Sequence, residues 1–250
     1  MHPAPFFRWI PTLLLTGSVA MAWGWWADGT LPARSLLAAP VSTEPQQTST
    51  QTPAFGTKVG GIAYRIQPVA DYDIHGLVVS MHHTDAWWDW IHAASKDLLN
   101  VVDVCVVWGA NAAAGAYEKM AFSSGQFVCY VSSKDPDAWQ PAYIRALSNN
   151  HLLSDHPHIL RQLRRLRVGD QIHLRGQLVE YAHNAGFAFT RGTSTSRDDT
   201  GNGACETLFV QDVQVLRPAP AWPRGLFWLG VAAFVLGAVL WLRQPHQARD

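Results

Sequence analysis

The sequence predicts an α+β domain, an antiparallel sheet or small OB-like barrel with two helices, flanked by terminal membrane-spanning segments. Three observations predict it. The middle of the chain repeats short apolar or alternating runs, "GIAYRIQPV", "HGLVVSMHH", "VVDVCVVWG", "SGQFVCYVS", "QIHLRGQLVEY" and "CETLFVQDVQVL", the two-residue period of strands. Two further stretches place apolar residues at helical spacing instead. Each end of the chain carries an uncharged apolar run.

At the N-terminus (1–26), "WIPTLLLTGSVAMAWGWW" follows Arg8 and closes on a tryptophan cluster suited to a membrane interface. The same run admits a second reading, a cleaved signal peptide, because "AMA" at Ala20 to Ala22 has the small-x-small form of a cleavage site. Residues 27–57 are rich in Pro, Ser, Thr and Gln, with little that could bury a face, and are expected to be a flexible tether. The folded domain is expected over 58–217, and "RPAPAWPRG" supplies a stiff linker across 218–225.

Inside the domain, "GIAYRIQPV" and "HGLVVSMHH" read as two strands parted by "ADYD". In "AWWDWIHAASKDLL", Trp87, Trp90, Ile91, Ala94 and Leu98 recur at helical spacing and predict one apolar face. A second helix follows "SDHP", with Pro157 at its first position and Ile159, Leu160, Leu163 and Leu166 facing inward. The last helical pattern, "LFWLGVAAFVLGAVLWL" (226–242), has no polar stripe and reads as a transmembrane helix, leaving 243–250 as a cytoplasmic tail. Arg8, Arg243 and Arg249 place the flanks inside and the domain outside, against a weak counter-bias from Arg217 and Arg224.

The 19 basic and 19 acidic residues cancel, which removes any whole-protein attraction to nucleic acid. Three cysteines, Cys105, Cys129 and Cys205, in an extracytoplasmic domain give one disulfide and one spare thiol. Cys105 with Cys129 is the expected pair, because both lie in strand-like runs that could be neighbours. No C-x-x-C or H-x-x-x-H pattern occurs among the cysteines and eleven histidines, so no dedicated zinc site is expected.

Two segments could carry chemistry. "RGTSTSRDDTGNGACE", Arg191 to Glu206, partly follows the calcium-loop pattern at Asp198, Thr200, Asn202 and Gly203, but Phe209 stands where a bidentate Glu belongs. Alternatively Gly201 and Gly203 could shape an anion nest beside Arg191 and Arg197, with Thr193, Asp198, Asp199, Thr200, Asn202 and Glu206 completing a ligand loop. The plainer reading is a long hairpin connection whose side chains bond their own backbone. In "ALSNNHLL", Ser148, Asn149, Asn150 and His151 form a polar island that could act on a ligand, though such a run is more often a turn. A Ser148, His151 and Asp155 triad is too local in sequence to expect. Arg161, Arg164, Arg165, Arg167 and Arg175 gather around the second helix, most simply as a solvated face.

"LSNNHLL", "GDQIHLRGQLV" and "RGTSTSRDDTGNGACETLFV", in that order, resemble a group of membrane-anchored bacterial proteins that carry no assigned activity. The resemblance covers about Asp73 to Leu216 and implies a shared extracytoplasmic domain, with no catalytic residues to transfer. Together these readings lead to the expectation of a binding or assembly module of the bacterial envelope. It would sit in the inner membrane with a periplasmic domain, with an envelope protein as partner and no cofactor. The alternative is a hydrolase using the Asn149, Asn150 and His151 island with the Arg191 to Glu206 loop, which requires both segments to face one cleft.

Overall fold

The computed structural model describes residues 9–199 and 205–244. The chain divides into two compact units, one spanning residues 31–219 and one built from the described parts of the terminal segments. Helix α1 (Ile10–Ala27) opens the terminal unit, with a proline in its first turn where a missing N–H costs nothing.

Residues 31–57, most of the segment expected to be a tether, are instead part of the larger unit. Val41 is fully buried in a cluster with Leu77, Val79 and Val107. Strands β1 (Gln46–Ser49) and β2 (Phe55–Val59) both pair antiparallel with β3 (Ile62–His83). β1 is exposed at every residue, so it is held by backbone hydrogen bonds along the edge of a long strand, a contribution composition does not display.

β3 is one strand of 22 residues, where two strands parted by "ADYD" were expected. Tyr72 and Ile74 are buried, while Asp71 and Asp73 alternate with them toward the other face, so the acids fit the strand period and do not break it. The expected helix over 86–99 contracts to α2 (Ile91–Ser95). Trp87, Trp90 and Leu98 are exposed, and Asp89, His92 and Asp97 are buried in their place. Hydrophobic spacing chose the wrong face because these polar groups are hydrogen-bonded to one another and to neighbouring strands.

β4 (Asn100–Val107) is buried at every residue. It is followed by α3 (Gly109–Ala114), the hairpin of β5 (Ala121–Gly125) and β6 (Val128–Ser132), and α4 (Pro141–Ile144). Then come β7 (Leu147–Leu153), α5 (Pro157–Leu163), β8 (Gln171–Asn184), β9 (Ala188–Arg191) and β10 (Glu206–Arg217). Cys105 on β4 and Cys129 on β6 form a disulfide that fastens the hairpin over the sheet.

Among the described residues the main sheet has eight strands and is mostly antiparallel. Its pairings run β3–β4–β7–β10–β8 and return to β3, so five strands form a closed circuit in which only β7–β10 is parallel. Tyr72, Ile74, Val104, Leu152, Ile172, Leu174 and Val210 fill its core, joined by Ile159 and Leu163 of α5. Gly176 permits the closure: a Cβ there would lie 2.1 Å from the Phe209 carbonyl oxygen, so only glycine lets β8 approach β10 this closely.

The final helix, α6 (Trp222–Leu242), is long and apolar enough to cross a membrane. It packs against α1 through small residues. A Cβ at Gly24 would lie 2.6 Å from the Pro223 carbonyl oxygen, the close backbone approach that lets two apolar helices associate.

Candidate active site

"LSNNHLL" is the buried strand β7, where a turn was the plainer expectation. The two-residue period sends Asn149 and His151 to one face and Ser148 and Asn150 to the other. Register then assembles the site. On β4, Asp103 stands opposite His151 and Cys105 opposite Asn149. On the other flank, Thr207 of β10 stands opposite His151. Cys205 precedes Thr207 by two residues, which brings it toward the same face.

Asp103 is fully buried and satisfied by three donors. His151 Nδ1 lies 2.6 Å from Asp103 Oδ1, Asn100 Nδ2 donates to the same oxygen at 2.8 Å, and the Phe127 amide donates to Oδ2 at 3.0 Å. With Nδ1–H committed to Asp103, the ring presents Nε2 toward the cleft. There Arg191 Nη1 lies 3.2 Å away, and Cys205 lines the same cleft with its thiol 4.0 Å from the Phe127 carbonyl oxygen. Burial alone favours a neutral ring, but the Asp103 carboxylate, its hydrogen bond and that of Cys205 outweigh burial and push His151 up to about 9. Burial works against the Asp103 charge too, and the facing His151 nonetheless holds this carboxyl below its ordinary value.

The β5–β6 hairpin closes the site from above. Its tip residue Phe127 has φ 65°, a left-handed conformation that a bulky side chain adopts only when its surroundings impose it. The surroundings here are explicit. The Phe127 ring lies 3.7 Å from the His92 ring and 3.7 Å beneath the Arg191 guanidinium, and meets His151 edge to face at 5.6 Å. Its carbonyl accepts from Asn149 Nδ2 at 3.2 Å, and the same amide nitrogen lies 3.7 Å from Cys205 Sγ.

Phe127, Cys129, Asn149, His151, Arg191 and Cys205 line a cleft of about 910 Å³, together with Gly192, Thr193, Ser196, Arg197, Asp199 and Glu206. Asn149 and His151 of the polar island therefore share one cleft with described residues at both ends of the Arg191 to Glu206 segment. Within it Asn149 Oδ1, Arg191 Nε and Glu206 Oε2 are buried without a partner among the described residues, so the walls hold polar atoms in reserve for a ligand.

Some of the remaining predicted residues lie around this centre and others do not. Thr193 Oγ1 accepts from the Thr207 amide at 2.9 Å, and Ser194 N donates to the Cys205 carbonyl at 2.8 Å, tying the loop to β10. Arg197 forms an ion pair with Glu206 and donates to the Tyr72 hydroxyl at 2.7 Å. Burial raises Glu206 to about 7, against the opposing pull of Arg197. Asp199 accepts from Ser194 Oγ at 2.7 Å, and Asp198 pairs with Arg145 at the surface. Thr200, Gly201, Asn202 and Gly203 lie outside the described residues, and with them most of the calcium and anion-nest readings. Asn150 turns away from His151 and bonds Ser148 Oγ at 3.0 Å. Asp155 bonds Thr57, so the local Ser148, His151 and Asp155 triad does not form.

Sequence reasoning missed Asp103, Phe127 and the place of Cys205 in the cleft. One signal was available: Asp103 is a lone charge inside "VVDVCVVWG", and a charge in a fully buried strand must have a partner. It also missed a second buried layer. Asp89 Oδ2 lies 2.6 Å from His82 Nε2 and 2.5 Å from His92 Nδ1, while His92 Nε2 accepts from Asn100 Nδ2 at 3.1 Å. The two hydrogens of that amide thus join His92 to Asp103. No protein-family model, curated protein or solved structure matches this chain.

Proposed function

We propose that the domain is a cysteine-dependent acyl-transfer enzyme, a hydrolase or transferase acting on a carbonyl substrate. Cys205 is the nucleophile, His151 the imidazolium that pairs with it and then acts as acid, and Asp103 the group that orients the ring. The observation that carries this reading is that Cys205 shares one cleft with an imidazole whose Nδ1 a buried carboxylate holds. His151, raised to about 9, is an imidazolium at neutral pH, so in this reading it already holds the thiol proton as Cys205 Sγ attacks the carbonyl carbon. The charge developing on the carbonyl oxygen is met by the Asn149 amide beside the thiol and by Arg191 beside His151. Collapse expels the leaving group with the proton from His151 and leaves a thioester on Cys205. Water or a second nucleophile, deprotonated by His151, releases the acyl group and restores the thiol.

We read the five-strand circuit as an OB-type barrel. Its pairing order, with a parallel contact between the third and fifth strands and α5 between the third and fourth, supports the likeness. The domain is proposed to work outside a bacterial inner membrane. The apolar helix α6 supports the anchor, and a disulfide in the folded unit suits an oxidising compartment.

The test is intact mass after exposing the full chain, in detergent, to a panel of acyl esters and thioesters. The reading requires a single acyl adduct that maps to Cys205 and disappears in Cys205→Ala and His151→Ala. No adduct from any acyl donor, or an adduct indifferent to His151, overturns it.

A second reading, a binding module, has its own observation. Trp87, Trp88 and Trp90 stand exposed together on the β3–β4 connection, where large rings suit a partner or interface better than bulk water. It predicts that Trp87→Ala abolishes an envelope-protein partner that co-purifies from gently solubilised membranes, and the return of no partner refutes it.

A further inference from the structure

We infer that Asp73, His75 and His173 form a transition-metal site on the outer face of the sheet, suited to Zn²⁺ or a similar borderline divalent ion. The register of β3 and β8 places His75 directly opposite His173. Asp73 precedes His75 by two residues and so shares its face. Asp73 Oδ1 lies 2.9 Å from His173 Nε2 and 3.8 Å from His75 Nδ1, and the two imidazoles stack with centroids 4.0 Å apart. One ligand atom from each residue lies within 4.8 Å of the other two.

Magnitudes favour an ion here. Bonds of about 2.0–2.2 Å in a tetrahedron put neighbouring ligand atoms about 3.3 Å apart. The two separations to Asp73 bracket that value, and binding requires the rings to rotate out of their stack until their in-plane lone pairs converge. The three side chains are 14 to 33% exposed, open enough for an ion to enter and for water to complete its shell. The other His and Asp cluster, His82, Asp89 and His92, fails the same comparison. Its contacts of 2.5 and 2.6 Å fall well short of a ligand–ligand edge, where the Asp73–His173 hydrogen bond at 2.9 Å falls only slightly short, and the group is sealed from solvent. Two imidazoles and one carboxylate select zinc, cobalt, nickel or copper over magnesium and calcium, whose sites are built from oxygen. Bound there, the ion cross-links β3 to β8 and stabilises the folded state by mass action. None of the proposed catalytic residues takes part, so this site stands or falls independently of the acyl-transfer reading.

The test is titration of the EDTA-stripped full chain, in detergent, with Zn²⁺ by calorimetry and with Co²⁺ by visible absorption. The expected result is one saturable site per chain, with a rise in unfolding midpoint that scales with metal concentration. His75→Ala and His173→Ala each weaken binding by about tenfold or more. Cys205→Ser and His151→Asn leave it unchanged. Should His173→Ala fail to fold, the more exposed Asp73→Asn and His75→Gln carry the same expectation. Absence of saturable binding, or binding that survives these substitutions, overturns the inference.

Discussion

His151 Nδ1 lies 2.6 Å from Asp103 Oδ1 across the β4–β7 pairing, and neither side chain reaches solvent. A buried charge so placed must remain paired, and breaking such a pair costs on the order of 3–5 kcal/mol. Asp103→Ala should therefore lower stability by about that amount, measured as a shift in the urea unfolding midpoint. Asp103→Asn should be milder in stability while still disturbing the ring's tautomer. Equal, negligible shifts for both would contradict the pairing.

The pH dependence of stability follows from two raised values. His151 binds its proton more tightly in the folded state, at about 9 against an ordinary 6.5, so its contribution is fully present below pH 6.5 and is lost as pH rises through about 9. Glu206, at about 7 against 4.5, also holds its proton better when folded, so stability falls as its carboxyl ionises across that interval. Both act in the same direction. The thermal midpoint should decline between pH 5 and pH 9, and His151→Gln should flatten the upper half of that decline.

Much of the framework was legible in the sequence. Periodicity located α5 and most strands, and the apolar C-terminal run located α6. The centre of the site was less visible, because its members come from β4, the β5–β6 tip, β7 and the residue before β10. Only register brings Asp103 to His151, and only the hairpin brings Phe127 above them. Hydrophobic spacing also misled at Trp87 and Trp90, since it ranks tryptophan as core and cannot see that His92 and Asp89 satisfy each other. The exposed strand β1 was hidden for a different reason: its bonds are all backbone.

Phe127 separates backbone strain from ring packing. Phe127→Ala keeps an L residue at φ 65° and loses the ring contacts, whereas Phe127→Gly loses the ring but relaxes the backbone. Glycine should be the less damaging substitution by about 1 kcal/mol in denaturant unfolding. Alanine proving the milder would mean that the left-handed conformation is not imposed by the fold.

The Cys105–Cys129 disulfide closes a segment with a sequence separation of 24 and pins the hairpin that carries Phe127. Replacing both cysteines by Ala should cost about 3 kcal/mol from loop entropy. It should also loosen the lid over His151, read as faster hydrogen exchange at the β5–β6 tip. Unchanged exchange there would show that the hairpin holds its place without the cross-link.

Gly176→Ala should be among the most damaging single substitutions in the domain, on the order of 3 kcal/mol, because the added methyl meets the Phe209 carbonyl of β10. Unfolding in urea measures it, and a near-neutral result would contradict the close approach of β8 and β10.

The most direct test of the central claim is the rate at which Cys205 is alkylated by iodoacetamide as a function of pH, in the full chain and in His151→Ala. If Cys205, His151 and Asp103 act as a unit, Cys205 reacts at neutral pH at least about tenfold faster than in His151→Ala, whose rate rises only near the ordinary thiol range. Identical pH profiles in the two proteins would mean that Cys205 is an ordinary thiol beside an unrelated buried pair, and the acyl-transfer reading would fall.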